Sequence, residues 1–339
     1  MENCRQEEVG RRKENGRQGE VGRQWEVGRQ GEVGRQEEKR KRIAVTGAGG
    51  MLGRYLMEIL GNDPGVEVVA VSFRDKEGVS IRDRIELPED IDTFYHLAGT
   101  EEEADAEAVN LGLTQRLLAE LEKHPPRNLV MVSSWRVYPA DAGENVGETH
   151  NTWTSSEAGR TKARAEMEAE KWAARTGACL TIARPARMFG TGVHGDTLRL
   201  FNRILNGRYV QIRDNAARTS VVTALDCARC LSLLPGKPGI FNISDGRPCT
   251  WEALAEAMGA NTGVRKRLVH LPAKWAATIY RFFRFLPIVK ESLSPEALEP
   301  MSRTLTLDNS KVKEATGIEF FDTLSVISRE EKNYPYDIK

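Results

Sequence analysis

The sequence contains little cysteine, and its few cysteines are spread thinly. Of 339 residues only five are cysteine, an odd number. This argues against a disulfide framework and predicts a reducing, cytoplasmic location. Cys227 and Cys230 form a C-x-x-C pair. Because no second pair and no histidine cluster accompany it, we predict two buried thiols on a helix and no metal site.

Long apolar runs and an excess of either charge are also missing. The first residues show no apolar run of the signal-peptide type. The most apolar late stretch, residues 275–289 (WAATIYRFFRFLPIV), is too short to span a bilayer and contains Arg281 and Arg284. It predicts a buried or amphipathic helix rather than a membrane anchor. Lys+Arg and Asp+Glu both number 49, so we expect neither nucleic acid nor a membrane as a partner.

Residues 1–42 differ in composition from the rest of the chain. Three hexads (RQGEVG, RQWEVG, RQGEVG) begin at Arg17, Arg23 and Arg29. Each hexad holds at most two apolar residues, too few to offset the entropy of ordering, which predicts a disordered tail. The basic run at residues 39–42 (KRKR) leaves open a tether to nucleic acid or membrane. We favour the alternative of a leader without a role.

A strand, a glycine-rich turn and a helix follow the tail. Residues 43–46 are an apolar β-branched run typical of a buried parallel strand, and apolar residues recur at helical spacing over residues 51–60. Gly47, Gly50 and Gly53 lie between them. Such glycines allow a tight turn, close approach of backbone to a pyrophosphate, and close helix–strand packing. The pattern predicts a dinucleotide cradle, with a glycine turn that binds nothing as the alternative.

The end of the next predicted strand bears on the choice of dinucleotide. Residues 66–73 form an apolar run that ends where dinucleotide folds hold the adenosine ribose, about 20 residues beyond the last glycine. Ser72 and Arg74 suit a 2′-phosphate, whereas Asp75 suits a 2′-hydroxyl. The sequence therefore favours NADP over NAD, with a merely solvated Arg74 as the alternative.

With its T-G-x-x-G-x-x-G spacing, the sequence resembles the extended short-chain dehydrogenase/reductase superfamily, and in particular its NAD-dependent epimerase/dehydratase branch. The resemblance covers about residues 43–330. Matching segments lie at residues 92–99, 110–121, 129–139, 182–190, 218–228, 239–246 and 305–320. Alternating strands and helices independently predict a doubly wound sheet.

The resemblance implies an α/β fold, with a Rossmann-type doubly wound parallel sheet and a smaller C-terminal substrate-binding α/β subdomain. The expected NAD(P)-binding Rossmann domain covers residues 43–185. Residues 186–339 are mainly the substrate-binding subdomain, with a strand near residues 239–243 that returns to the Rossmann sheet. The resemblance also implies a homodimer, formed through the helices that hold Asn110 and Lys162.

The resemblance further assigns binding residues. Those expected at the cofactor are Gly47, Gly50, Met51, Leu52, Gly53, Ser72, Arg74, Leu97, Ala98, Lys162 and Pro185. The substrate is expected to be a sugar nucleotide or related polyol that contacts Ser134, Arg187 and Arg218. Arg187 replaces an asparagine common in nucleotide-sugar members, and Arg218 resembles their diphosphate-binding arginine. Trp135 and Arg136 stand where dehydratases carry an acidic pair, which argues against dehydratase chemistry.

The catalytic group of the family is incomplete at one position. The family uses a Ser/Thr hydroxyl and a Tyr-x-x-x-Lys helix, in which the lysine lowers the tyrosine pKa and binds the nicotinamide ribose. Ser134 and Lys162 match, but Ala158 occupies the tyrosine position. His150 and Glu157 are nearby groups that could transfer a proton.

Two functions therefore stay open. The first is an NAD(P)-dependent epimerase or reductase that uses Ser134 and Lys162 with an atypical acid/base. The second is a catalytically impaired dinucleotide-binding sensor or partner subunit without redox turnover. Ala158 motivates the second, because its methyl side chain has no proton to transfer.

Overall fold

The structure, a computed structural model, describes residues 40–73, 85, 87–261 and 268–329. Most of the predicted tail lies outside the described residues, and so does Arg74 with its neighbour Asp75. The predictions for the tail and for a 2′-phosphate contact by Arg74 therefore stay predictions.

Strands and helices alternate through the first half of the described chain. The strands are β1 (Lys41–Thr46), β2 (Val66–Val71), β3 (Ile91–His96), β4 (Asn128–Val132), β5 (Gly143–Val146), β6 (Cys179–Pro185), β7 (Arg187–Phe189), β8 (Val210–Ile212), β9 (Arg218–Thr219), β10 (Val221–Thr223), β11 (Gly239–Ile243), β12 (Cys249–Thr250), β13 (Val269–Leu271) and β14 (Leu305–Leu307).

The α-helices are α1 (Met51–Gly61), α2 (Leu113–Leu121), α3 (Glu157–Thr176), α4 (Gly195–Leu205), α5 (Ala224–Leu233), α6 (Trp251–Asn261), α7 (Ala273–Phe283), α8 (Pro287–Leu293), α9 (Pro295–Ser302), α10 (Ser310–Thr316) and α11 (Thr323–Ile327). Short 3-10 helices span Glu103–Asp105 and Trp135–Val137, and a π-helix spans Glu107–Gly112 and leads into α2. Among the described helices, none is long and apolar enough to cross a bilayer.

A six-stranded sheet lies at the centre, in the order β11-β6-β4-β3-β1-β2. Every strand pair in it is parallel. The chain passes from β1 to β2 on one side and then to β3 on the other side of β1. In open α/β sheets, ligands bind outside the carboxyl ends of the strands at such a reversal. The predicted Rossmann-type doubly wound fold is confirmed.

Late strands extend or flank this sheet. β11 pairs with β6 from Gly239↔Thr181 to Ile243↔Pro185, so a strand at 239–243 completes the edge. The remaining strands form a four-stranded sheet, β12-β9-β14-β5, and two short pairs, β10-β7 and β13-β8. The division of the chain at residue 185 stays a prediction.

Helices cover both faces of the central sheet, which explains why its strands read as continuous apolar runs. Side chains alternate between the faces along each strand. In β1, Val45 packs with Leu56 of α1 on one face, whereas Ala44 packs with Leu117 and Trp172 on the other. The first face also takes α5, whose Cys227 and Cys230 are fully buried. Burial raises the pKa of both thiols.

Residues 275–289, for which the sequence predicts a buried or amphipathic helix, form parts of two helices. They lie in α7 and α8, which are separated by residues 284–286. Ala276 is buried, but Trp275, Phe282 and Phe285 are 66%, 66% and 73% exposed. The stretch therefore presents much of its apolar surface to solvent.

Candidate functional site

One cavity at the carboxyl ends of β1, β3, β4 and β6 brings together most of the residues predicted for cofactor and catalysis. Of the predicted set, its lining includes Gly47, Gly50, Met51, Leu52, Gly53, Leu97, Ala98, Ser134, Lys162, Pro185 and Arg187. A second cavity shares Gly47 and Ala98 and includes Ser72. Arg218 lines neither cavity.

The glycine turn is shaped so that side chains do not fit in it. Gly47 has a φ of +69°, in the left-handed region, and a Cβ there would lie 2.9 Å from the Ala98 amide nitrogen. A Cβ on Gly53 would lie 2.2 Å from the Gly47 carbonyl oxygen. Gly50 is the N-cap residue of α1, and no side chain caps that helix. The first amides of α1 therefore remain available to an anion in the cavity.

We expect Gly53→Ala to damage the turn directly. Because the added Cβ would meet backbone atoms at 2.2 to 2.8 Å, the turn must move, which costs about 1–3 kcal/mol of unfolding free energy. The affinity for NADH should fall by at least about tenfold, since the cradle depends on close backbone approach. Urea unfolding and fluorescence titration measure the two effects.

The matched control is Gly61→Ala, at the end of the same helix, where a Cβ would have no neighbour within 4 Å. That variant should keep the stability and cofactor affinity of the unsubstituted protein. Equal NADH affinity in the Gly53 and Gly61 variants would contradict the assignment of the turn to the cofactor.

A chain of buried hydrogen bonds fixes the loop that follows β3. Burial lowers the pKa of His96 to about 3, so its ring is neutral. The Thr46 hydroxyl accepts the amides of Leu97 and Ala98 at 3.2 and 3.3 Å and lies 2.9 Å from His96 Nδ1. Nε2 of the ring lies 2.9 Å from the Thr114 hydroxyl. This network of uncharged groups holds the loop against β1.

The π-helix places Asn110 against the next part of the same loop. Its side chain accepts the Thr100 amide at 2.8 Å and donates to the Thr100 carbonyl at 3.0 Å and to the Thr161 hydroxyl at 3.1 Å. Lys162 follows on α3, and a Cβ built on Gly99 would lie 2.7 Å from its ammonium nitrogen. The absence of a side chain at Gly99 thus makes room for that ammonium.

The start of α3 is capped from two directions. The Ser156 hydroxyl accepts the Gly159 amide at 3.2 Å. The Glu103 carboxylate accepts the Ser156 hydroxyl at 2.8 Å and the amides of Glu157 and Ala158 at 2.6 and 3.2 Å. An acidic group at a helix N-terminus also interacts favourably with the helix dipole.

Ala158 is enclosed by this packing. It has no exposed surface, and it does not line the cavity that holds Lys162. A Cβ on the neighbouring Gly159 would lie 2.1 Å from the Arg136 carbonyl oxygen, so α3 packs closely on the Trp135–Val137 turn. A phenol at position 158 would have to displace packed neighbours.

Ser134 and Lys162 meet in the cavity from different elements. Ser134 follows β4 and begins the Trp135–Val137 turn, where its hydroxyl accepts the Arg136 amide at 3.2 Å. Burial lowers the pKa of Lys162, and the nearby carboxylates of Glu101 and Glu166 oppose that shift. A lysine with a lowered pKa can exchange a proton nearer neutral pH than an exposed one.

Arg187 is a buried cation that interacts electrostatically with Glu101 but forms no ion pair within the described residues. Its side chain is 6% exposed, and the guanidinium lies 5.3 Å from the Trp135 ring centroid and 5.1 Å from that of Trp251. Within the described residues it forms no ion pair, and its Nε has no hydrogen-bond partner. Burial, reinforced by the positive charge of Arg136, lowers its pKa to about 10.

Ten residues of the cavity lining were not predicted, among them Glu101, His194 and Thr197. Glu101 lies 3.9 Å from Arg136, which also pairs with Asp196. A sequence signal for Glu101 exists, because it closely follows the carboxyl end of β3, where such folds bind ligands. His194 and Thr197 lie beyond β7 and carry no comparable signal.

The two side chains considered as replacement proton carriers lie elsewhere. His150 lies 3.0 Å from the Asn151 carbonyl oxygen, and Glu157 pairs with Arg160; neither lines the cavity. Arg218 donates to the Pro248 carbonyl oxygen at 2.8 Å. Its role at a diphosphate stays a prediction.

Comparison with solved structures shows the same fold in sugar-nucleotide epimerases. UDP-N-acetylglucosamine 4-epimerase from Bacillus cereus is 19% identical with a TM-score of 0.65, covering 88% of this chain and 99% of that one. UDP-glucuronic acid 4-epimerase from Bacillus cereus, solved with NAD, is 17% identical with a TM-score of 0.65, covering 85% of this chain and 96% of that one.

Sequence comparison adds a curated relative and a family. The 4-epimerase of N-acetyl-α-D-glucosaminyl-diphospho-ditrans,octacis-undecaprenol from Escherichia coli O157:H7 is 31% identical over 106 residues, 31% of this chain. The match spans about a third (32%) of that relative's length. The model of the NAD-dependent epimerase/dehydratase family matches residues 43–244. This match covers more than half of the chain, which therefore belongs to the NAD-dependent epimerase/dehydratase family.

Proposed function

We propose that this protein binds an NAD-type dinucleotide and acts as an epimerase or related oxidoreductase on a sugar joined to a diphosphate. The observation that carries the proposal is the single cavity that joins the glycine turn to Ser134, Lys162 and Arg187. The named activities of similar proteins support it, since they concern UDP-sugars and a polyprenol-linked sugar, which share the diphosphate. The carrier is thus a nucleotide or a polyprenol.

The residues present fit a dinucleotide. Gly47 and Gly53 leave space that a Cβ would fill, and the uncapped first turn of α1 faces a pyrophosphate position. When bound, the dinucleotide would take a hydride from the substrate carbon and return it. Ser72 at the second cavity supports NADP, whereas the family is named for NAD. Titration with NADH and NADPH in parallel decides between them.

Ser134 and Lys162 would bind the substrate oxygen and transfer its proton. The Ser134 hydroxyl is placed to hydrogen-bond the oxygen of the reacting carbon. In this proposal the Lys162 amine takes the hydroxyl proton as the carbonyl forms and returns it on re-reduction, since Ala158 holds no proton. The lowered pKa of Lys162 supports this assignment.

The second candidate function is cofactor binding without turnover. The burial of Ala158 favours it, because no phenol and no opening to the cavity exist at that position. The absorbance of the bound dinucleotide distinguishes the two candidate functions. An enzyme shows an absorbance change of bound dinucleotide when a substrate sugar is added, whereas a sensor binds the dinucleotide and shows none.

Arg187 supports an anionic substrate for either candidate. An isolated buried charge is costly unless an opposite charge pairs with it. Within the described residues Arg187 forms no ion pair, although Glu101 acts on it electrostatically, and Arg187 lines the cavity with Ser134. The guanidinium fork matches two oxygens of a carboxylate or phosphate. We therefore assign it to a substrate oxyanion, on the sugar or in the diphosphate.

Arg187→Gln should weaken binding of a suitable UDP-sugar about 10–100-fold, the usual range for a lost hydrogen bond to a charged group. Calorimetry with UDP-glucose and UDP-glucuronic acid, which differ in one carboxylate, measures this in the presence of NAD. If Arg187→Gln weakens the affinity for UDP-glucuronic acid alone, the oxyanion that Arg187 contacts lies on the sugar. If the affinities for both UDP-sugars fall equally, that oxyanion lies in the diphosphate. Arg187→Lys keeps the charge and should lose less.

The matched control is Arg175→Gln, an exposed arginine paired with Glu122 on the surface. It should leave both affinities unchanged. Unchanged affinities in Arg187→Gln would contradict the oxyanion assignment, and failure of the unsubstituted protein to bind NADH and NADPH would contradict the proposed function itself.

The homodimer also stays a proposal. It would use the outer faces of α2 and α3, where Met167 is 54% exposed. Light scattering after size-exclusion chromatography gives the mass in solution and tests it.

A further inference from the structure

The α7–α8 segment, residues 273–293, carries a dense exposed apolar surface. In the described part of the chain eleven large apolar side chains are exposed, and six of them lie within residues 275–288. They are Trp275, Phe282, Phe283, Phe285, Leu286 and Ile288. A contiguous exposed apolar patch on a folded protein marks an interaction surface.

The same segment is strongly basic. Lys274, Arg281, Arg284 and Lys290 are all exposed, and Glu291 is the single acidic residue in the sequence of this segment. The chain as a whole is balanced, with 49 basic and 49 acidic residues. The positive charge of this surface is therefore local, and the overall balance used to argue against a membrane partner does not describe it.

The exposed apolar side chains and the basic side chains together favour a bilayer over a second copy of the chain as the binding partner of this surface. Aromatic and aliphatic side chains beside lysine and arginine are typical of elements that lie in the headgroup region of a bilayer. A second copy of the chain fits less well, because a two-fold interface would set the same basic face against itself. Protein interface cores are also depleted of lysine.

We propose that the α7–α8 segment docks on an anionic membrane surface without crossing it. Phe285, Phe282 and Trp275 would enter the boundary between headgroups and acyl chains, where their burial is favourable. The guanidinium groups of Arg281 and Arg284 would stay at the level of the lipid phosphates, and their charge attracts an anionic surface. Both interactions act together, so membrane binding should need anionic lipid and the aromatic side chains.

Docking has a consequence for the substrate, which rests on the proposed function. A protein held at a membrane meets sugars carried on membrane lipids, and a polyprenol diphosphate is one of the two proposed carriers. The docking itself stands on the exposed side chains and local charge alone, so its test needs no substrate.

Sedimentation of the full chain with lipid vesicles tests the inference. The protein should bind vesicles of phosphatidylcholine mixed with phosphatidylglycerol, and much less those of phosphatidylcholine alone. The double variant Arg281→Glu/Arg284→Glu should reduce the partition coefficient on anionic vesicles by at least about 30-fold. This value follows from the binding free energy that two basic residues usually contribute near an anionic surface. Phe285→Ser should reduce it on the order of tenfold, and added salt should weaken binding.

Matched variants elsewhere control for loss of an exposed aromatic or of basic charge. Trp153 is 87% exposed outside the segment, so Trp153→Ser should bind like the unsubstituted protein. So should Arg175→Glu, and Arg40→Glu/Lys41→Glu reports on the basic run at residues 39–42. NADH affinity should be unchanged in every segment variant, which shows that they fold.

The inference is overturned if anionic vesicles do not bind the unsubstituted protein, or if only the variant at Arg40 and Lys41 loses binding. It is equally overturned if the segment variants bind vesicles normally but change the oligomeric mass in solution. That last result would assign the surface to a second copy of the chain.

Discussion

Replacing Lys162 with methionine is expected to lower turnover by about 10²–10⁴-fold, the usual contribution of a positioned proton carrier. The side chain keeps its length but loses the ammonium that lies beside Gly99. The effect should fall mainly on kcat, with KM for the sugar changed less, because in the proposed mechanism Lys162 interacts with the reacting oxygen. Absorbance of the reduced dinucleotide during a single turnover measures it.

The pH dependence adds an independent readout. Burial lowers the pKa of Lys162, so the ammonium loses its proton at a lower pH than an exposed lysine does. If Lys162 carries the proton, the pH–rate profile has a limb that reflects this titration below the ordinary lysine pKa of about 10.4. Lys162→Met should abolish that limb.

Lys171→Met is the matched control, since Lys171 lies on the same helix, exposed and paired with Glu168. It should keep full turnover. Turnover of Lys162→Met within tenfold of the unsubstituted protein would contradict the assignment. If the unsubstituted protein binds the dinucleotide and shows no turnover on any diphospho-sugar, the second candidate function holds.

Replacing Glu166 with alanine is expected to cost about 3–5 kcal/mol of unfolding free energy, because it leaves Arg184 buried without its partner. The two side chains are 4% and 5% exposed. Arg184 donates to the carboxylate through Nε at 3.0 Å and Nη2 at 2.5 Å, and through Nη1 to the Tyr138 hydroxyl at 2.9 Å. Burial acts to lower the pKa of Arg184, but Glu166 outweighs it and holds that pKa above its ordinary value.

Urea unfolding of matched variants measures this effect. Glu168→Ala removes a carboxylate two residues further along α3 that forms an exposed pair, and it should change stability by no more than about 1 kcal/mol. The double variant Glu166→Met/Arg184→Leu should recover most of the loss, because it leaves no unpaired charge. Equal stability of the Glu166 and Glu168 variants would contradict a structural role for the buried pair.

The Glu166–Arg184 pair also matters for the site. It joins α3 to β6 four residues after Lys162, on the same side of the helix. We expect Glu166→Ala to lower turnover as well as stability, since it loosens the helix that carries the ammonium. No sequence pattern predicted this pair, because its partners are 18 residues apart on different elements.

Much of the fold could be predicted from local sequence. The apolar run before Gly47 and the helical spacing after it determine a strand, turn and helix whatever follows, because each depends on neighbouring residues alone. The family pattern predicted Ser134 and Lys162, and the structure brings both to one cavity. The glycine spacing predicted the tight turn after β1 for a further reason: the absence of a Cβ is a property of the residue itself.

Partners that come together from distant parts of the chain were harder to predict. The sequence predicted that both Arg187 and Arg218 contact the substrate. In the structure Arg187 lies in the cavity near two tryptophan rings, whereas Arg218 donates a hydrogen bond to the Pro248 carbonyl oxygen. Glu101 was missed because its neighbours, Arg136 among them, come from other segments. Charge and burial of such groups depend on contacts across the fold.

The sequence by itself determined the family, the glycine turn after β1 and the alanine at position 158. These follow from residue identity and short-range spacing, which folding does not alter. Only the tertiary structure decided that Ala158 is enclosed by the packing of α3, that Arg187 is buried without an ion pair among the described residues, and that the α7–α8 surface is exposed. Exposure and pairing are properties of atoms brought together by the whole fold, because each depends on what the rest of the chain covers.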